Sequence, residues 1–172
     1  MVDQLHDQDR GGMIAAALLA LPLLAAPPSP EVSAAGARNV GAPWAAEELH
    51  RVSFHESRHS RIGLHGGLNR GGADFYRRAV RVGWLAPCQQ HDPETWGVRG
   101  PYGLVAAYHV RHLGECAEAS AVDIPIVAAT LAARAWAALK RRGFCDYQAR
   151  RIAYKRGVSS PEAREELKRC RK

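Results

Sequence analysis

The stretch Phe54-His55-Glu56-Ser57-Arg58-His59 holds the clearest piece of chemistry in the chain, and its reading decides what the rest must be. His55 and His59 are four residues apart, so on a helix both imidazoles share a face with Glu56 beside them. That is the spacing of a zinc-ligand pair with its attendant carboxylate. Read differently, Glu56-Ser57 ends a helix just before a run containing Gly63, Gly66, Gly67, Gly71 and Gly72, which leaves one carboxylate at the mouth of a loop. The first reading needs a third metal ligand. The second needs partners for a lone acid.

Around this stretch the pattern is helical. Residues 45–59 place Leu49, Val52 and Phe54 among polar neighbours, which predicts a helix ending at the quoted residues. Residues 60–73 read as a loop, Asp74–Trp84 as a second helix with Phe75, Ala79 and Val82 in phase, and Pro87–Arg99 as another loop. A third helix is expected from Tyr102 to His112, stopped by Gly114. Asp123 is the expected N-cap of the longest helix, with Pro125 in its first turn and a stripe of Val127, Leu131, Ala135 and Leu139. Lys140-Arg141-Arg142-Gly143 closes it with charge matched to the helix dipole and a C-cap glycine. Two shorter helices follow at about 145–156 and 160–170, the second begun by Ser159 or Ser160 ahead of Pro161 and Glu162. Few runs alternate with period two, so the fold class is mainly α.

The N-terminal part reads as an export segment. Residues 1–12 are polar and acidic, and an Ala/Leu run follows from Met13 to Ala26. Its length suits a signal-peptide core and is short for a membrane span, although attachment to a membrane through residues 13–26 is the other expectation. Residues 27–43 read as a flexible linker, with Ala35-Gly36-Ala37 the best match to a cleavage site. The expected division is therefore 1–43 as signal or anchor plus linker, and 44–172 as the folded domain.

The 172-residue chain has a net charge of +7, which favours an anionic partner, whether nucleic acid, membrane surface or bacterial wall. No nucleic-acid motif is present, and a monomer is expected. The four cysteines contain no C-x-x-C pair. In an exported chain they read as two disulfides, for which three pairings exist. Cys88–Cys116 with Cys145–Cys170, the order that closes two short loops, is the expected one; four buried thiols are the alternative.

For zinc, the third ligand would be His65, at the last position of the pattern H-E-x-x-H-x-x-G-x-x-H. The glycine of that pattern belongs at Ile62, and the chain has Gly63 instead. A zinc protease using His55, His59 and His65 is thus one alternative. His109 and His112 are also spaced for a metal, but two exposed helix histidines are the expectation.

The lone-acid reading draws on a resemblance. Glu56-Ser57 resembles the Glu-Ser motif of the soluble-type lytic transglycosylases, in the lysozyme-like superfamily. Gly100-Pro101-Tyr102-Gly103-Leu104-Val105-Ala106 is similar to that family's G-x-x-G-L-M-Q motif, with Val105 for the Met and Ala106 for the Gln. Asp123-Ile124 before the Ala-rich helix, and Ala153-Tyr154-Lys155-Arg156-Gly157 with Lys155 for an Asn, complete the likeness over about 44–157. The resemblance implies a lysozyme-like α-helical domain that cleaves the β-1,4 MurNAc–GlcNAc bond of peptidoglycan strands, periplasmic or extracellular, without a cofactor. It implies Glu56 as acid and then base, Ser57 near the acid or substrate, Gly100 and Gly103 giving backbone access to the glycan, and Tyr154 steadying Glu56. Hydrolytic glycosidases usually use a second carboxylate; the resemblance implies that one suffices here, although Asp74, Asp92 or Glu94 could fold back to supply a second. Trp96, Tyr102 and Tyr108 are candidates to stack on sugars, with Tyr102 and Tyr108 equally readable as core; Trp84 and Trp136 read as core. A non-catalytic wall-binding domain is the remaining alternative, and Ala106 and Lys155 point to it.

Overall fold

The computed structural model describes residues 28–57 and 71–172, and they form a mainly α-helical fold. The described residues hold seven helices and several short 3-10 turns, and the only sheet among them is a two-stranded hairpin.

Helix α1 (Pro30–Asn39) corrects the linker expectation for residues 27–43. Ser29 caps it by accepting from the Val32 N–H, Pro30 fills the first turn, and Glu31 complements the dipole. Its small residues serve close packing. A Cβ on Gly36 would stand 2.6 Å from both the carbonyl carbon and the Cβ of Ala129, so α1 rests almost backbone to backbone on the Ala-rich helix α5 (Pro125–Arg141). Val32 and Ala37 are buried in the same seam, and Asn39 Nδ2 donates to Thr130 Oγ1 at 3.1 Å. The Ala35-Gly36-Ala37 match to a cleavage site therefore lies inside a packed helix.

Helix α2 (Ala46–Ser57) buries Leu49, Val52 and Ser53, and carries Glu56 in its last turn. Helix α3 (Gly72–Arg81) begins two residues ahead of the expected Asp74. The helix expected from Tyr102 is instead a hairpin, β1 (Val98–Arg99) with β2 (Leu104–Val105), paired Val98 with Val105 and Arg99 with Leu104. The reason is backbone handedness. Gly100 and Gly103 have φ of +74° and +61°, and the Gly103 N–H donates to the Gly100 carbonyl, so residues 100–103 make a tight turn. Only then does α4 (Ala106–His109) begin, continued by a 3-10 turn over Val110–His112.

Asp123 does not cap α5; that position belongs to Ile124, without a side-chain bond. The Asp123 carboxylate instead accepts from Arg99, through Nε at 3.1 Å and through Nη2, which fastens the hairpin to the start of α5. Helices α6 (Tyr147–Arg156) and α7 (Pro161–Arg169) are capped by Asp146 and Ser160, each accepting a backbone N–H three residues on.

The disulfides are Cys88–Cys116 and Cys145–Cys170, the short-loop pairing. Loops of this size stabilise a chain by about 3–4 kcal/mol in the entropy picture. They are consistent with an exported protein folding in an oxidising compartment. Among the described residues no helix is long and apolar enough to cross a membrane, and residues 13–26 lie outside them.

Trp136, as expected, is buried at the centre of the core. Its indole N–H donates to Glu48 Oε2, and the same carboxylate takes Arg150 Nε at 3.0 Å and Nη2 at 2.6 Å. Arg150 Nη1 also donates to the Phe144 carbonyl at 2.9 Å. One buried ion pair thus ties α2 to α5 and α6. Removing either charge leaves its partner, buried Arg150 or mostly buried Glu48, without its counter-charge. Arg150→Ala should therefore lower the unfolding free energy by about 3–5 kcal/mol in urea titrations.

His109 is buried, not exposed as its helix position suggested. Burial, with the charges of His112 and Arg111 adding to it, holds its imidazole neutral, with a pKa brought down to about 3. The unfolded chain takes up this proton at an ordinary histidine pKa and the folded chain does not. Stability should therefore fall as pH drops below about 6.5, on the order of 1 kcal/mol per unit, down towards the folded value. His109→Gln should flatten that part of a melting-temperature profile.

Candidate active site

Three segments far apart in sequence meet at Glu56. The end of α2 supplies the carboxylate. The 100–103 turn supplies bare backbone, because a Cβ on Gly103 would stand 2.7 Å from Glu56 Oε2 and 3.2 Å from its Cδ. Helix α6 supplies Tyr154, whose hydroxyl donates to the Tyr102 carbonyl at 2.8 Å. Burial first, and then the Glu56 charge, push the Tyr154 phenol well above its ordinary pKa, so it is a neutral donor. Its ring packs edge-on against Trp136 at 5.3 Å, which sets the hydroxyl's direction. Tyr154 thus holds the very turn on which the carboxylate lies.

The other anticipated residues divide. Ser57 is buried and its hydroxyl donates back to the Ser53 carbonyl at 2.9 Å, within its own helix. Gly100 is required for packing: a Cβ there would sit 2.1 Å from the Val122 carbonyl oxygen, so the position serves the fold and gives no access to a glycan. Tyr102 is fully buried, its hydroxyl paired with Ser33 Oγ at 2.9 Å and its pKa pushed up to about 12 by burial. A ring with no exposed face cannot stack on a sugar, so Tyr102 is core and acts here through its carbonyl. Trp96 is corrected likewise: it is buried and donates its indole N–H to the His91 carbonyl. Tyr108 remains on the surface, edge-on to the half-buried Trp84.

His55 lies on the exposed side of α2, whereas His59 and His65 lie outside the described residues. Among the described residues no three His, Cys, Asp or Glu side chains are grouped to hold a metal. Asp74 pairs with Arg77 at the surface, and Asp92 and Glu94 are exposed.

Sequence reasoning missed Ser33, hidden in the supposed linker, and Tyr147. The latter stands seven residues before Tyr154 on the same face of α6, and that spacing was the available signal. Tyr147 also packs on Trp136 and has the Arg51 guanidinium 4.0 Å from its ring centre. Its hydroxyl is buried with no hydrogen-bond partner among the described residues.

No protein-family model, curated protein or solved structure matches the chain.

The geometry predicts how the site fails. Tyr154→Phe leaves the Tyr102 carbonyl buried without its donor and should lower stability by about 1–3 kcal/mol. Gly103→Ala adds a Cβ into Glu56 at a left-handed position, and should displace the carboxylate in a crystal structure at a cost of about 1–2 kcal/mol.

Proposed function

We propose that the chain is a peptidoglycan-cleaving glycosidase of lytic-transglycosylase type, with a lysozyme-like domain and Glu56 as its single acid/base. The observation that carries this reading is the meeting of Glu56, Gly103 and Tyr154, which come from three of the segments that resemble that family. In this mechanism Glu56 protonates the glycosidic oxygen between N-acetylmuramic acid and N-acetylglucosamine, and the C1–O bond breaks with positive charge spread over C1 and the ring oxygen. The Glu56 carboxylate then removes the proton of the same sugar's 6-hydroxyl as that oxygen closes on C1. The products are a 1,6-anhydro end and a free 4-hydroxyl, and Glu56 ends protonated as it began. Tyr154 acts as a positioning residue through the Tyr102 carbonyl. The positive charge of the chain suits an anionic wall, and the two disulfides suit a periplasmic or extracellular site of action.

A second reading, binding of the wall without cleavage, is favoured by two positions. Ala106 is buried where the family has a glutamine, and Lys155 is exposed where it has an asparagine. Side-chain contacts made by those amides are therefore missing here.

Digestion of purified sacculi separates the two. The wild-type chain should release anhydro-muropeptides and Glu56→Gln should release none, with binding to the sacculi retained. Release by Glu56→Gln at the wild-type rate refutes the mechanism, and binding without products from the wild type favours the wall-binding reading. A zinc protease using His55, His59 and His65 would instead carry stoichiometric zinc that is lost on His59→Ala.

A further inference from the structure

A second surface stands out where the end of α3 meets the Tyr108–Leu113 segment. Arg111 lies over two aromatic rings, 4.2 Å from the centre of Tyr108 and 5.1 Å from that of Trp84, and Arg78 approaches Trp84 at 5.9 Å. The two rings meet edge to face at 5.2 Å. Arg78 and Arg111 pair with no carboxylate among the described residues, whose ion pairs all involve other cations. Arg134 adds to the same positive field: partial burial first, and then the charges of Arg134 and Arg111, lower the pKa of His112 beside Tyr108. Of the local acids, Glu118 pairs with His91 and Glu115 is exposed. Around these cations lie exposed apolar groups: Val82 at 47%, Leu113 at 39% and Tyr108 at 37% exposure are three of the six exposed large hydrophobics among the described residues. The Cys88–Cys116 disulfide ties the loop after Trp84 to the segment carrying Leu113, so the patch has a covalent frame.

We propose that this face attaches the protein to anionic phospholipid. A guanidinium stacked on an aromatic ring keeps its N–H edge free for phosphate oxygens. Tryptophan and tyrosine suit the headgroup level of a bilayer. Val82 and Leu113 decide between lipid and a dissolved polyanion: exposed aliphatic side chains do nothing to grip a phosphate chain in water, but gain by entering the headgroup–acyl boundary. The surface includes none of residues 13–26 and does not depend on the glycosidase reading.

The test is sedimentation of the full chain with phosphatidylcholine vesicles and with mixed phosphatidylcholine–phosphatidylglycerol vesicles. The ratio of the two partition coefficients removes any charge-independent binding by the N-terminal apolar run. It should exceed one, fall with salt, and drop on the order of twenty- to thirtyfold in the double variant R78Q/R111Q, as each arginine near an anionic surface contributes about fivefold. The variant V82S/L113S should bind mixed vesicles more weakly, and thermal melts should show both variants folded. A ratio near one, or one unchanged in folded R78Q/R111Q, overturns the proposal. So does binding to dissolved polyphosphate that is lost in R78Q/R111Q, if V82S/L113S binds both vesicles and polyphosphate normally.

Discussion

The buried Glu48–Arg150 pair, with Trp136 bound to the same carboxylate, is the constraint on which the rest of the structure hangs. Arg150 is buried and Glu48 mostly so, and such a pair is tolerated only when its donors and acceptors are answered; here Arg150 answers Glu48 twice and the Phe144 carbonyl once. That requirement leaves α2 little freedom to slide or roll against α5 and α6. Glu56 is two helical turns beyond Glu48 and Tyr154 is one turn beyond Arg150, so the distance between carboxylate and phenol is set by a bond made elsewhere. Trp136 links the two ends, bonding Glu48 with its indole and packing its ring against Tyr154.

The second constraint is made of backbone. The 100–103 turn must fit between Glu56 and Val122, and both of its glycines stand where a methyl group would strike a neighbour. Arg99 anchors this turn to the start of α5 through Asp123, while Tyr154 anchors it from α6. Ser33 of α1 holds the Tyr102 hydroxyl from the far side. The turn beside the carboxylate is therefore fixed from three helices, though it is itself short and irregular. In the proposed mechanism, such rigidity lets the acid meet one oxygen atom and not its neighbours.

Much of this was legible from residues alone. The helices at α2, α3 and α5 followed from apolar spacing, the helix at α7 from its Ser-Pro-Glu start, and Ser160 and Gly143 marked ends where expected. The disulfide pairing followed from loop length. What misled was composition read without context. The Ser-Ala-Ala-Gly-Ala run of α1 looks like linker because small residues carry little hydrophobic signal, yet their smallness lets α1 approach the Ala129 backbone. Asp123 looks like an N-cap, but Arg99, distant in sequence and near in space, takes its carboxylate. Tyr102 and Trp96 look like sugar platforms because aromatic rings serve core and surface equally well, and only packing tells which.

The sequence by itself determined a mainly α chain and a glutamate at the end of a helix, and favoured the short-loop disulfides, because periodicity, loop length and capping are local properties. Only the tertiary structure decided what stands beside that glutamate. The company of Gly103 and Tyr154 depends on how helices nearly a hundred residues apart are clamped together. No local pattern records that Glu48 and Arg150 will meet.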